Sequence, residues 1–329
     1  MDHIFGPVNS RRLGVSLGID LLPPKICNFN CIYCEVGPTT TFTNTRGEYT
    51  STAAIIAEID AYFADAEAVA RLDILTITAS GEPTLHSGLG AIIAHLKQIS
   101  TKPVAVLTNG SLLYLPEVRR ELAKADVVVP SLDAARQESY RRIDRPAAEC
   151  DLERLIGGLV DFSREFTGRC WLEILLARGI NDAPEDLAAL AVAVERIQPE
   201  RIQLNTVARP PLETFALPLS LEQLRAAATC FQLPVDILTD RNSLERGSDK
   251  SEVSGRQADQ EDILHLLQRR PCPADDLAAA LGIQPDRAAA LLTRLVASGQ
   301  VKISRHRDRD YYVIAPRERD QKSADRPPA

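Results

Sequence analysis

The 329-residue chain carries 45% hydrophobic and 25% charged residues, an ordinary composition for a globular protein of about two domains. Its formal net charge of -7 excludes a polycationic nucleic-acid binder, while leaving room for a local basic surface. No run of about 18 apolar residues predicts a membrane span, and the start MDHIFGPVNS lacks the basic and apolar regions of a secretory signal; a cytoplasmic location is the expectation.

In chain order, residues 13–19 read as a first strand. Ile55, Ile56, Ile59 and Phe63 fall on one face of a predicted helix over 52–64. A strand over 74–78, a helix over 89–99, a strand over 104–108, a helix over 117–125 behind Pro116 and a strand over 127–131 follow. Helical stretches around 134–140 and 151–166 lead to a fifth strand over 171–177. The next helix carries a start signal, with Asp182 as N-cap, Pro184 in the first turn and Glu185 after it. The sixth strand spans 201–207, and Ser220 with Gln223 predicts a capping box. Six strands, each followed by a helix, predict parallel pairing with right-handed crossovers. Their apolar runs predict burial on both faces. Periodicity alone does not separate an open doubly wound sheet from a partial barrel.

Composition shifts at Asp240, closing a core domain over 1–239. The polar stretch 240–260 is the expected linker. A second unit over 261–315 reads as helices over 262–269, 274–281 (stopped by Gly282) and 285–298 (ended by Gly299). Strands over 301–304 and 311–314 follow, around a charged tip at 305–310. Three helices and a hairpin are the order of a winged helix-turn-helix. The polar tail 316–329 is expected to be disordered.

Seven cysteines, odd in number and unevenly spaced, argue against a disulfide framework. Cys150, Cys170, Cys230 and Cys272 stand alone and are expected to be small buried hydrophobes. Cys27, Cys31 and Cys34 cluster in CNFNCIYC. Thiolates are the ligands of iron–sulfur clusters, and three of them leave one iron open to bind a small molecule. A structural zinc site would want a fourth donor, for which the closest downstream candidate is His86.

This C-x3-C-x2-C spacing behind a first strand, with Tyr33 before the last cysteine, resembles the radical S-adenosylmethionine (SAM) superfamily. Ser80-Gly81-Glu82-Pro83 is similar to its GGEP motif, with Ser80 in place of the first glycine. The resemblance implies an α/β fold, a partial (βα)6 TIM-like barrel whose C-terminal strand ends line the site. It implies one [4Fe-4S] cluster on Cys27, Cys31 and Cys34. It also implies SAM contacts from Tyr33, Gly81, Glu82, Pro83, Asn109, Ser131, Asp133 and Asn205. Gly81 and Glu82 would hold the SAM amino group, since glycine lets backbone approach closely and carbonyl and carboxylate both accept from an ammonium. Asn109, Ser131, Asp133 and Asn205 equally suit turns and caps. Arg11, Arg12, Arg142 and Arg145 read either as surface charge or as bidentate partners for a carboxylate or an anionic substrate.

The run GPVNSRRLGVSLGIDLLPPKICNFNCIYCEVGPT, with SLDA, RRIDRP and QLNTVARPP, resembles the branch related to the wybutosine tRNA-modifying synthases. Residues 1–26 contain no cysteine, so the second cluster of those enzymes is not expected. The implied chemistry is reductive cleavage of SAM to a 5′-deoxyadenosyl radical, with the electron drawn from flavodoxin or ferredoxin. The substrate stays unidentified, with tRNA a candidate. A maturase of a protein or peptide, and a non-enzymatic iron–sulfur DNA-binding regulator, are the alternatives. Arg287 and Arg294 on the third helix, with Lys302, Arg305, Arg307 and Arg309 in the wing, suit nucleic acid. Eight basic against eight acidic residues over 257–315 leave protein docking equally open. No membrane partner is expected.

Overall fold

In the computed structural model, which describes residues 1–10, 12–78, 80–238 and 259–315, the described residues fall into two compact units. Arg11, the expected linker up to residue 258 and the expected tail lie outside the described residues. Strands β1 (Ile4–Ser10) and β2 (Gly14–Asp20) open the first unit, and the two-residue strands β3 (Ile26–Cys27) and β4 (Thr41–Phe42) follow. Helices α1 (Thr52–Phe63) and α2 (Ala66–Ala70) lead to β5 (Ile74–Thr78), α3 (Leu89–Ile99), β6 (Val104–Thr108), α4 (Pro116–Leu122) and β7 (Val127–Pro130). Then come α5 (Gln137–Ile143), α6 (Leu152–Glu165), β8 (Arg169–Leu176), α7 (Pro184–Ile197), β9 (Arg201–Thr206), α8 (Leu221–Ala228) and β10 (Val235–Ile237).

One sheet runs β1-β2-β5-β6-β7-β8-β9-β10, parallel throughout except for the antiparallel β1. The six predicted strands are its centre. The two edges, β1 and β10, escaped sequence reading: β1 contains Gly6 and Pro7 and a bulge between Phe5 and Val8, and β10 has only three residues. Period-2 alternation divides the sheet into two faces. Leu75, Ile77, Val106, Val128, Leu172, Ile174, Ile202 and Leu204 pack with the helix residues Ile55, Ile59, Ile92 and Leu159 in one large core. The opposite face carries a separate small cluster of Ile74, Ala105, Val127 and Val129. It is not wholly apolar, contrary to expectation. Ser16 and Thr76 share a hydrogen bond of 2.6 Å there, and Glu173, Gln203 and Asn205 belong to it. Such an inner face places polar groups inside the curved sheet.

Local signals account for most helix ends. Asp151 caps α6 by accepting from Arg154 N, and Ser220 and Gln223 form the expected capping box of α8. The α7 cap is Ala183 rather than Asp182, whose carboxylate instead accepts from Gly179 N at 2.7 Å. Proline at the first helical position needs no N–H partner there. Adjacent glycines in α6 separate two effects. A Cβ on Gly157 meets nothing within 4 Å, whereas one on Gly158 lies 2.4 Å from Tyr114 N. Gly157→Ala is therefore expected to stabilise the protein by about 0.5–1 kcal/mol through helix propensity. Gly158→Ala is expected to destabilise it, because backbone must move. Urea denaturation of both variants measures the opposite signs.

The second unit contains α9 (Gln260–Arg269), α10 (Ala274–Leu281), α11 (Pro285–Ala297), β11 (Val301–His306) and β12 (Arg309–Ile314). Asp259 and Asp262 form a capping box, so the first helix starts two residues before the predicted 262. Gly282, at φ 62°, stops α10 as expected. The hairpin is longer than predicted, pairing through His306 and Arg309, and Cys272 adds a third backbone bridge to Tyr312. This is a winged helix. Among the described residues no helix is long and apolar enough to cross a membrane.

Candidate metal centre and cofactor site

Pairing of β3 with β4 closes the loop that carries Cys31 and Cys34, while Cys27 ends β3 itself. The loop backbone is held by a segment far along the chain. Asn30 N donates to Asp144 O (3.0 Å), Ile32 N to Ile143 O (2.9 Å), and Ala147 N to Asn28 O (2.8 Å). Glu213 N donates to Ile32 O at 2.9 Å. The RRIDRP segment thus braces the cysteine loop through backbone carbonyls of Ile143 and Asp144, and Glu213, two residues past QLNTVARPP, adds a further backbone bond. Asn28, fully buried, ties it to the β6 end by donating to Ser111 Oγ (2.7 Å) and accepting from Asn109 Nδ2 (2.8 Å).

Gly81 abuts the same strand. A Cβ there would lie 1.7 Å from Ile26 O, so only glycine permits the bridge between residues 81 and 26. Glu82 N then donates to Ile26 O at 3.1 Å. The Glu82 carboxylate, 2% exposed, accepts from Thr84 N (2.9 Å), Thr84 Oγ1 (2.6 Å), Thr108 Oγ1 (2.6 Å) and Asn109 N (2.6 Å). Burial raises its pKa against these donors. Its carboxylate thus fastens the β5 and β6 strand ends to each other, and Pro83 begins the short 3-10 turn it caps. Ser80 replaces a glycine because Asp20, at the end of β2, accepts from both its N–H (2.9 Å) and its hydroxyl (2.6 Å).

Tyr33, Asn109, Ser131 and Asp133 line one small cavity together with Tyr140 and Asp144. The Tyr33 hydroxyl donates to Asp133, whose other oxygen accepts from Leu175 N at 2.8 Å. Asp144 lines the same cavity as Asp133. Burial raises the pKa of both carboxyls, and the Asp133 charge raises Asp144 further. The Tyr140 hydroxyl is buried with no hydrogen-bond partner among the described residues. Asn205 lies apart from this cavity, bonded to Glu173 at 2.9 Å on the inner sheet face.

The three thiols suit a cluster rather than one ion. Among the described residues no group of three His, Cys, Asp or Glu side chains could hold a single metal ion. In a cube each thiolate takes its own iron, whereas zinc gathers four donors about 2.0–2.3 Å from one centre. Burial pushes the Cys27 thiol up to about 12 and Cys31 well above the thiol range, so thiolates there need positive charge alongside. Lys25 supplies some: burial works against its charge, but Cys34, Cys27 and Cys31 outweigh it and raise its pKa.

Other sequence candidates divide. Arg12 forms an ion pair with Glu173 and donates to Gln203 Oε1 at 3.2 Å. Arg142 donates to Gly179 O at 2.8 Å, and Arg145 pairs with Glu213. Cys170 and Cys272 are buried as expected, but Cys150 is half-buried and Cys230 exposed. Cys230 follows the last turn of α8, whose outer side faces solvent. His86 is fully buried; its Nε2 faces Thr50 O (2.8 Å) and its Nδ1 accepts from Gly88 N (3.0 Å). Burial lowers its pKa below the ordinary histidine value. The unfolded chain therefore takes up a proton that the fold refuses, and stability falls as pH drops below about 6.5 toward the lower folded value. Thermal melts between pH 7.5 and 5 are expected to show this loss, with a flatter slope in His86→Gln. Lys25, Asp20, Tyr140 and Asp144 were missed as site residues by sequence reasoning, although Asp20 and Lys25 lay in the quoted run that carries the cysteines and Asp144 in the RRIDRP segment noted for its arginines.

A mostly parallel sheet thus carries a three-cysteine loop against the turn that follows β5. The family model described as the radical SAM superfamily matches residues 21–191, just over half of the chain, and a DprA winged helix domain model matches residues 249–302. The chain belongs to the radical SAM superfamily, which implies a [4Fe-4S] cluster and SAM as cofactors. It is 34% identical over 312 residues to a UPF0026 protein of Helicobacter pylori, covering 94% of this chain and 96% of that one. It is 38% identical over 300 residues to a protein named GTPase Obg from Brachyspira hyodysenteriae, covering 91% of this chain but only 43% of that protein's length. The printed name is that of the longer protein, and no Gly-Lys pair of a P-loop occurs within these 329 residues. A radical SAM methyltransferase structure from Sphaerobacter thermophilus shares the fold, with TM-score 0.52 and 19% identity over 68% of this chain and 66% of that one.

Proposed function

We propose that the protein is a radical SAM enzyme in which Cys27, Cys31 and Cys34 ligate one [4Fe-4S] cluster and Gly81, Tyr33, Asn109, Ser131 and Asp133 border the SAM site. The observation that carries this reading is the contact of Gly81 with Ile26, which sets the SGEP turn one residue from the ligand Cys27. When bound, the cluster and SAM supply one-electron reduction and hydrogen-atom abstraction. The chain's own part is positional. Glu82 orients the turn by holding Thr84, Thr108 and Asn109, so its role toward SAM is to aim neighbouring backbone rather than to offer its saturated carboxylate. Tyr33, bonded to Asp133, presents an aromatic wall next to Cys34. Asn28, Asn30 and Ile32 lock the loop so that the thiols hold their places before metal arrives.

The substrate reading is an RNA, with tRNA favoured by the likeness of the RRIDRP and QLNTVARPP segments to a tRNA-modifying branch and by the winged helix. Flavodoxin or ferredoxin would deliver the electron. The test is anaerobic reconstitution with iron and sulfide, reduction with dithionite and assay for 5′-deoxyadenosine from SAM. A fully loaded protein that cleaves no SAM would overturn the enzyme reading in favour of an iron–sulfur regulator. Nucleosides from the tRNA of a deletion strain should lack one modification; an unchanged profile would redirect the search to protein substrates.

A further inference from the structure

Lys25 is 4% exposed, and among the described residues no carboxylate forms an ion pair with it. Its ammonium donates to Cys34 Sγ at 2.7 Å and to Gly37 O at 2.9 Å. Its backbone is fixed by four bonds: Lys25 N donates to Thr40 Oγ1 (2.8 Å), and Lys25 O accepts from Thr40 N and Thr41 N (3.0 Å each) and from Thr40 Oγ1 (2.9 Å). The side chain therefore cannot swing out to solvent without breaking the closure of the cysteine loop. A buried cation costs free energy unless opposite charge lies beside it, and among the described residues the group placed to supply that charge is the Cys34 sulfur, as a thiolate when it ligates a cluster.

We infer that Lys25 is a positioning residue that hydrogen-bonds the Cys34 ligand and tunes the cluster toward its reduced state. The inference rests on the proposed cluster and deepens it. Reduction adds one electron from the external reductant, and the effect assigned to Lys25 requires no proton transfer. A fixed positive charge against a ligand sulfur favours the more negative of the two cluster states, and hydrogen bonds to cluster sulfurs act in the same direction. Of the three ligand sulfurs Lys25 donates to Cys34, whereas Cys27 accepts from the Phe29 N–H at 3.4 Å. The three ligands are thus electrostatically unlike, and Cys34 is the one with a cation.

The test is an EPR-monitored redox titration of reconstituted protein, with iron and sulfide content measured alongside. In Lys25→Met the reduced-to-oxidised ratio at a fixed potential is expected to fall about tenfold, equivalent to about 59 mV for one electron. Lys25→Gln, which keeps a donor without charge, should fall nearly as far, and Lys25→Arg should stay near the wild type. Failure of the uncharged variants to retain a full cluster, with Lys25→Arg fully loaded, would also support the charge role. Equal potentials in wild type and a fully loaded Lys25→Met would overturn it. Loss of the cluster from Lys25→Arg as well would overturn it in favour of a purely architectural role in the loop. Wild-type protein that holds no iron would instead strike the cluster reading itself, so the two failures are distinguishable.

Discussion

Cys31→Ala, purified without oxygen and supplied with iron and sulfide, is expected to stay colourless and to form no 5′-deoxyadenosine. Two thiolates cannot hold a cube that already lacks a fourth protein ligand, so the effect is loss rather than slowing. The fold should survive. Cys31 is half-buried and its backbone makes the loop's Cys34 N to Cys31 O bond, which alanine keeps. The stability cost should stay near 1 kcal/mol, that of an ordinary substitution. Cys170→Ala is the matched control. That thiol is buried in β8, pushed up to about 12 by burial, and serves packing alone. Iron content, colour and SAM cleavage should all persist in it. Matching losses in both variants would mean that the triad has no special standing.

Gly81→Ala is expected to be the most damaging change that removes no reactive group. The added Cβ would sit 1.7 Å from Ile26 O and 2.6 Å from Ile26 C, both backbone atoms that no rotamer change can move. β3 must shift, breaking the Glu82 N to Ile26 O bond and carrying Cys27 with it. Overpacking against backbone costs about 3 kcal/mol at the upper end of its usual range. Iron content, SAM affinity by calorimetry and the denaturation midpoint should fall together. Full iron loading and unchanged SAM affinity in this variant would remove the structural argument for the SGEP turn as part of the site.

The centre of the fold was legible because its signals are local. The apolar run of β5, the capping pair Ser220 and Gln223, and Gly282 at the end of α10 each act within a few residues. The cysteine triad was legible for the same reason, through spacing alone. What sequence could not reveal depends on distant partners. β1 and β10 exist because β2 and β9 offer unpaired edges. The inner-face polarity of Glu173 and Asn205 makes sense only once Arg12 arrives beside them. Lys25 reads as one more surface lysine until β3 and β4 close around it. Asp144 was hidden in a segment noted for its arginines, while its carbonyl braces the loop by accepting from Asn30 N and its carboxyl lines the cavity with Tyr33 and Asp133. Glu82 marks the middle case: its place was foreseen from the motif, but its carboxylate is spent on Thr84, Thr108 and Asn109.

The bracing of the cysteine loop by Ile143, Asp144 and Glu213 also sets a schedule. During synthesis Cys34 emerges roughly 180 residues before Glu213, about 10–35 s at 5–20 residues per second. Through that interval the three thiols cannot adopt their final frame, because the chain that holds it does not yet exist. Iron loaded early would meet a slack loop, and oxidants would meet exposed sulfur. Cluster delivery therefore belongs after the core has closed, and the yield of active protein should depend on how well the cell shields those thiols in the meantime.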